Sequence, residues 1–183
     1  MYKKPLIVFE GIEGSGKTSH IKYLANYLRK KRIQFIKIRE PGGTKTAEKI
    51  RKLLLSKNSK FDKKTDLLLY LASRNENIKK IIQPNYKKKI ILIDRFTDST
   101  LAYQHYGMGI NYKFINEINN IITKNIKAQI TFLNLVSMQN MRKRLMKRKK
   151  LNRYDMFKTK FYKKVQNGFV KIAKKSKKKY IYI

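Results

Sequence analysis

Cysteine is absent from the 183-residue chain, which excludes a disulfide framework and thiolate metal sites and leaves the redox compartment open. Long apolar runs are missing as well. No stretch approaches the roughly 18 residues of a membrane span, and the short run after Lys3 and Lys4 meets Glu10 too early for the core of a secretory leader. Gly/Ser linkers and internal repeats are lacking, so the expectation is one domain over residues 1–183, long enough and at 42% hydrophobic apolar enough to bury a core. Acidic residues are scarce, 11 against 46 Lys plus Arg, for a net charge of +35. Such an excess ordinarily points to nucleic acid or an anionic membrane. Here it is discounted. The cations are 36 Lys and 10 Arg, spread over nearly every segment beside abundant Ile and Asn, as an AT-rich coding sequence yields without selection for a partner. A solvated basic surface follows, with a cytoplasmic address, no specific nucleic acid, no membrane, and a field that favours phosphate-rich small molecules.

The apolar runs at 6–9 and 90–93 do not alternate with polar residues, the mark of strands covered on both faces of a parallel sheet. Residues 35–38, 130–135 and 180–183 read as further strands. Between them Ile21, Leu24, Ala25 and Leu28 recur at helical spacing, as do Ile50, Leu53 and Leu54, and then Leu67, Leu68, Leu71 and Ile78, with Pro84 closing the long central helix. Strands alternating with helices make an α/β domain of three layers. The segment 146–155, MKRKKLNRYD, is too charged to pack and is the one candidate mobile element.

Directly after the first strand, Gly11, Ile12, Glu13, Gly14, Ser15, Gly16, Lys17 and Thr18 satisfy G-x-x-x-x-G-K-[ST] and open the first amphipathic helix. The backbone N–H groups of such a loop enclose phosphate oxygens. Lys17 would reach the β and γ phosphates of a nucleotide, and the Thr18 hydroxyl would ligate Mg²⁺. Glu13, inside that loop, would be repelled by triphosphate and suits a sugar hydroxyl. Asp94 and Arg95 end the third strand at the carboxyl edge of the sheet, where ligands of open α/β folds bind. Asp94 suits a role near Mg²⁺ and Arg95 a phosphate. His20 and His105 read as structural or exposed, and no His, Cys or carboxylate cluster has metal-site spacing.

FEGIEGSGKT, REPGGT with AEKIRKLLL, LLLYLASR, DRFTDSTLAYQ and RKRLMKRKKLNRYD, in that order, resemble the thymidylate kinase family over nearly the whole chain. The resemblance implies a P-loop NTPase fold with a central five-stranded parallel sheet, a lid at about 146–155, and ATP-dependent phosphorylation of dTMP to dTDP. It also implies a homodimer formed through helices packed on the sheet. Residue by residue, it puts Glu13 on the acceptor sugar, Arg39 and Arg95 on the acceptor phosphate, Tyr70 stacked on thymine and Arg74 bonded to the base. Ser99, Thr100 and Gln104 would line the base pocket, and Tyr103 would crowd the sugar's 2′ position. The loop lacks the extra arginine of some members, so lid residues Arg148 and Arg153, among Lys147, Lys149 and Lys150, would act on the transferred phosphoryl. Tyr70 stands where relatives usually carry Phe, and the chain stops at Ile183 where they continue into another helix. Two rival activities remain in view, a deoxynucleoside kinase with Glu40 as base and a P-loop ATPase with a basic nucleic-acid surface.

Overall fold

The computed structural model describes residues 4–124, 126–175 and 179–183, so part of the basic run at 174–179 lies outside the described residues. Five strands, β1 (Leu6–Glu10), β2 (Phe35–Arg39), β3 (Ile90–Asp94), β4 (Ile130–Leu133) and β5 (Tyr180–Tyr182), form one sheet in the order β2-β3-β1-β4-β5. Every pairing is parallel. The register sets Arg39 beside Asp94 and Asp94 beside Phe9, so the ends of β1, β2 and β3 finish level at one edge.

Burial on both faces explains the uninterrupted apolar runs. Leu6, Val8, Ile91 and Ile93 point to one face and pack on Ile78 and Ile82. Ile7, Phe9 and Leu92 point to the other and meet Ile21, Ala25 and Leu28 of α1 (Lys17–Lys30). A third cluster joins Leu133 and Ile12 to Met141 and Leu145 of α7 (Met138–Met146) and to Tyr162, Val165 and Phe169 of α8 (Thr159–Lys174).

Two expectations from periodicity need correction. Leu53 on α2 (Lys45–Leu55) and Leu68 on α3 (Lys63–Asn77) are 53% and 51% exposed, because Leu54 and Leu67 beside them take the inward positions. Nor does Pro84 end the central helix: α3 continues through the π-helical residues Ile78–Ile82 into a last turn, α4 (Gln83–Asn85), which contains the proline. The change of register at Gln83 makes a new helix start inside the rod, where the missing proline N–H costs nothing.

A second π-helical stretch, Leu101–Gly107, follows α5 (Thr97–Thr100) and brings Tyr103 and Gln104 inward together. Buried Glu10 fixes the start of this rod, accepting from the backbone N–H of Phe96 (2.8 Å) and Ser99 (3.2 Å) and from the Ser99 hydroxyl. Its far end lies against α8 at Gly168, where a Cβ would stand 2.7 Å from the Tyr106 ring. Helix propensity favours Ala over Gly by about 1 kcal/mol, whereas overpacking of this kind costs about 1–3 kcal/mol. Since Cβ, Cγ and Cδ2 of Tyr106 would all have to move, the clash wins. Gly168→Ala is expected to lower the thermal midpoint by about 2–6 °C, read by circular dichroism, with Gly168→Ser at least as low.

Candidate active site

The loop between β1 and α1 is shaped by backbone conformations few residues adopt. Gly11 has φ +136, and a Cβ there would lie 2.3 Å from the Asn134 carbonyl oxygen, so a side chain is excluded twice over. Gly16 caps α1 with φ 94 and no side-chain bond, which leaves the first N–H groups of a 14-residue helix open to an anion. Lys17 folds back onto its own loop, donating to the carbonyls of Gly11 and Ile12 at 2.9 Å each. Burial first and Arg95 second pull its ammonium from the usual 10.5 down to about 8.

This loop floors a cleft of about 650 Å³. Beyond Glu13, Lys17 and Thr18, the sequence-predicted residues Tyr70, Arg74, Asp94, Arg95 and Arg148 line it. Ser99, Thr100, Tyr103 and Gln104 form its far wall. Gly11 and Ile12 lie beneath the lining, as the carbonyls that hold Lys17. At the centre, the Glu13 carboxylate accepts from Arg95 Nη2 (2.8 Å) and from the Tyr103 hydroxyl. Burial alone would raise its pKa, but Arg95, Lys17 and that hydroxyl together hold it below the ordinary carboxylate range. Arg95 also donates to the Gly11 carbonyl (2.9 Å) and lies over the Tyr103 ring. Asp94 Oδ1 is buried without a hydrogen-bond partner among the described residues.

Arg74 is only 2% exposed. Nε donates to Glu40 (2.8 Å), Nη1 to Thr100 (2.8 Å) and Asn119 (2.6 Å), and Nη2 to the Phe96 carbonyl (2.9 Å). A guanidinium has five N–H groups, so one Nη2 hydrogen is left for a ligand. Burial pushes the Glu40 carboxyl up, with Arg74 opposing it.

Two predicted residues stand elsewhere. Arg39 does not line the cleft: it lies on the α1 side of β2, 54% exposed, and its fork closes on Glu48 at 3.0 and 3.3 Å. Arg153 is also outside the lining, with its guanidinium on Asp66 and the Phe61 and Tyr154 rings beside it. Of the two lid arginines, Arg148 is the one in the cleft, 40% exposed and bonded to Asp155 at 2.6 Å.

Among the cleft residues that escaped sequence reasoning, three carry cationic or aromatic groups. Arg51 on α2 lines the cleft and donates to the Pro41 carbonyl (2.6 Å). Its signal was present, since Ala47, Arg51 and Leu54 share one helix face and both neighbours are buried. Arg144 on α7 donates to the Gly14 carbonyl (2.7 Å), between the inward Met141 and Leu145. Tyr154 enters from the lid, edge-on to both Tyr70 and Tyr103 at 5.9 Å between centroids. His20 borders the cleft and meets Asn134, while His105 is bonded to the Ile110 carbonyl.

Comparison with known proteins gives a uniform result. The family model described as thymidylate kinase matches residues 9–183. The thymidylate kinase of a Sulfurihydrogenibium species is 43% identical over 179 residues, covering 97% of this chain and 87% of its own. That of Wolbachia pipientis is 41% identical over 171 residues, covering 91% and 84%. A crystal structure of thymidylate kinase from Ehrlichia chaffeensis superimposes with a TM-score of 0.82 at 36% identity, covering 99% of this chain and 93% of that one.

The state of Lys17 is open to measurement. Because burial depresses its pKa to about 8, the ammonium of the empty site is half deprotonated near pH 8, and a bound polyphosphate favours the ammonium. Binding must then take up protons, about half a proton per site at pH 8, and affinity must fall as pH rises further. Calorimetric titration with a nucleoside triphosphate at pH 8, in two buffers of different ionisation enthalpy, is expected to show that buffer dependence. Equal heats in both would contradict it.

Proposed function

The chain belongs to the thymidylate kinase family and phosphorylates dTMP to dTDP with ATP as co-substrate, and from that premise we propose how its own residues divide the work. The observation that carries the assignment is the single cleft in which the phosphate loop and the inward face of α3 confront each other across Glu13, Arg95 and Tyr103.

The donor's phosphates lie on the loop and the N-terminus of α1, where Lys17 exchanges the Gly11 and Ile12 carbonyls for phosphate oxygens. The thymine ring stacks on Tyr70, the free Nη2 hydrogen of Arg74 meets a base carbonyl, and Thr100 and Gln104 close the pocket around it. Glu13, kept ionised by its neighbours, accepts from the 3′-hydroxyl, with Tyr103 pressed beside it where a 2′-hydroxyl would have to fit. Arg95 and Arg51 take the acceptor phosphate. That phosphate is largely dianionic at neutral pH, so transfer needs no general base. What it needs is in-line placement and a shell of positive charge. Arg148, with Arg144 beside the loop, supplies that charge over the transferred group.

Magnesium suits the site. The unpartnered Asp94 Oδ1 and the Thr18 hydroxyl at the cleft floor are hard oxygen donors, and no cluster of three His, Cys or acidic residues competes among the described residues. Bound there through phosphates and water, the ion would neutralise charge on the donor. Exposed Leu53, Leu68 and, on α6 (Tyr112–Thr123), Ile121 support a homodimer built on these helices. Among the described residues no helix is long and apolar enough to cross a membrane.

Phosphate transfer from ATP across a panel of nucleosides and nucleoside monophosphates tests the whole reading: dTMP is expected to be the preferred acceptor and thymidine inert. A faster reaction with thymidine would restore Glu40 as a base, a role disfavoured by its ion pair with buried Arg74. Among arginines, Arg51→Ala is expected to raise the dTMP KM by about tenfold or more, the loss of a charged hydrogen bond, while Arg39→Ala stays within about twofold. The reverse order would return the phosphate to Arg39.

A further inference from the structure

The lid does not float over the cleft. Its 3₁₀ turn, Arg153–Met156, is fastened at one carboxylate on α3: Asp66 Oδ1 takes the Arg153 guanidinium, and Asp66 Oδ2 takes the Tyr154 hydroxyl. Asp66 is buried at 2% exposure and does not itself line the cleft. The same turn holds the lid's working arginine from its other side. Asn152 and Asp155 form a reciprocal cap, and Asp155 Oδ1 accepts from Arg148 Nη1 at 2.6 Å. Asp66 also shares a helix face with Tyr70 and Arg74, one and two turns further along.

We infer that Asp66 is a positioning residue for phosphoryl transfer, acting through the lid turn to hold Arg148 over the cleft. The fastening is two-pronged. Arg153 supplies charge, and Tyr154 supplies a hydroxyl whose ring also walls the base pocket against Tyr70. One rigid helix therefore carries the groups that recognise the base and the post to which the lid is tied. An occupied base pocket presses on the Tyr154 ring and a docked lid presents Arg148, so the two events are linked through a span of eight residues. This assigns Arg153 an indirect role, and its kinetic consequence rests on the reading that the cleft takes ATP and dTMP.

The test separates lid docking from turnover. Hydrogen exchange followed by mass spectrometry over residues 146–158 is compared for wild type, Asp66→Asn, Asp66→Glu, Arg153→Gln and the Asp66→Asn/Arg153→Gln pair, alongside kcat and both KM values. Asp66→Asn is expected to speed exchange in the lid turn by about tenfold while β1 and β3 keep theirs. Its kcat should fall by about 10- to 100-fold, the scale of a misplaced catalytic group, with the ATP KM within about threefold. Asp66→Glu recovers most of the rate. Arg153→Gln reproduces the lid effect, and the double variant is no worse than Asp66→Asn alone. Unchanged lid exchange, exchange accelerated equally across the sheet, or losses that multiply in the double variant would each overturn the proposal. Failure of the wild type to use dTMP would strike the substrate reading instead, and the exchange comparison would still decide the fastening.

Discussion

A pocket built for two polyanions must be lined with cations, and cations crowded together repel one another when nothing is bound. The folded chain meets that constraint with its few carboxylates. Glu13 holds Arg95, Glu40 holds Arg74, Asp66 holds Arg153 and Asp155 holds Arg148. Each pair sits at or beside the cleft, so a large part of an acidic complement of 11 residues is used to keep the pocket assembled. Buried charges persist only when paired and hydrogen-bonded, and the Arg74 network is the clearest case, with four donated bonds from a guanidinium that is 2% exposed.

The pairs differ in what they leave free. Arg74 and Arg95 are each fixed by several partners, an arrangement of the kind that preorganises a site for recognition. Lys17 and Arg148 are held differently, the first by carbonyls of its own loop and the second by one carboxylate while partly exposed. The cations are thus divided between the sheet edge with α3, which carries Arg95 and Arg74, and the loop with the lid, which carries Lys17 and Arg148.

Much of this was legible in the sequence where local chemistry dictates it. The glycine loop, the strand ends at Asp94 and Arg95, and the i, i+4 spacing of Tyr70 and Arg74 mark residues that line one cleft. Other arginines stand where no motif announces them: an arginine's motif says nothing of which carboxylate its long side chain will find. Arg39 sits in REPGGT but is taken by Glu48, nine residues on, while Arg51, outside that motif, faces the cleft because Ala47 and Leu54 turn its helix inward. Arg153 belongs to the lid but is claimed by Asp66, 87 positions away in the chain.

By itself the sequence determined the layered parallel architecture, since doubly buried strands demand unbroken apolar runs, and the phosphate loop, since its backbone angles demand glycine. Tertiary structure decided which cations face the ligands. That choice depends on pairings between residues remote in the chain, whose geometry exists only after the sheet edge, α3 and the lid turn have been brought within a side chain's reach of one another.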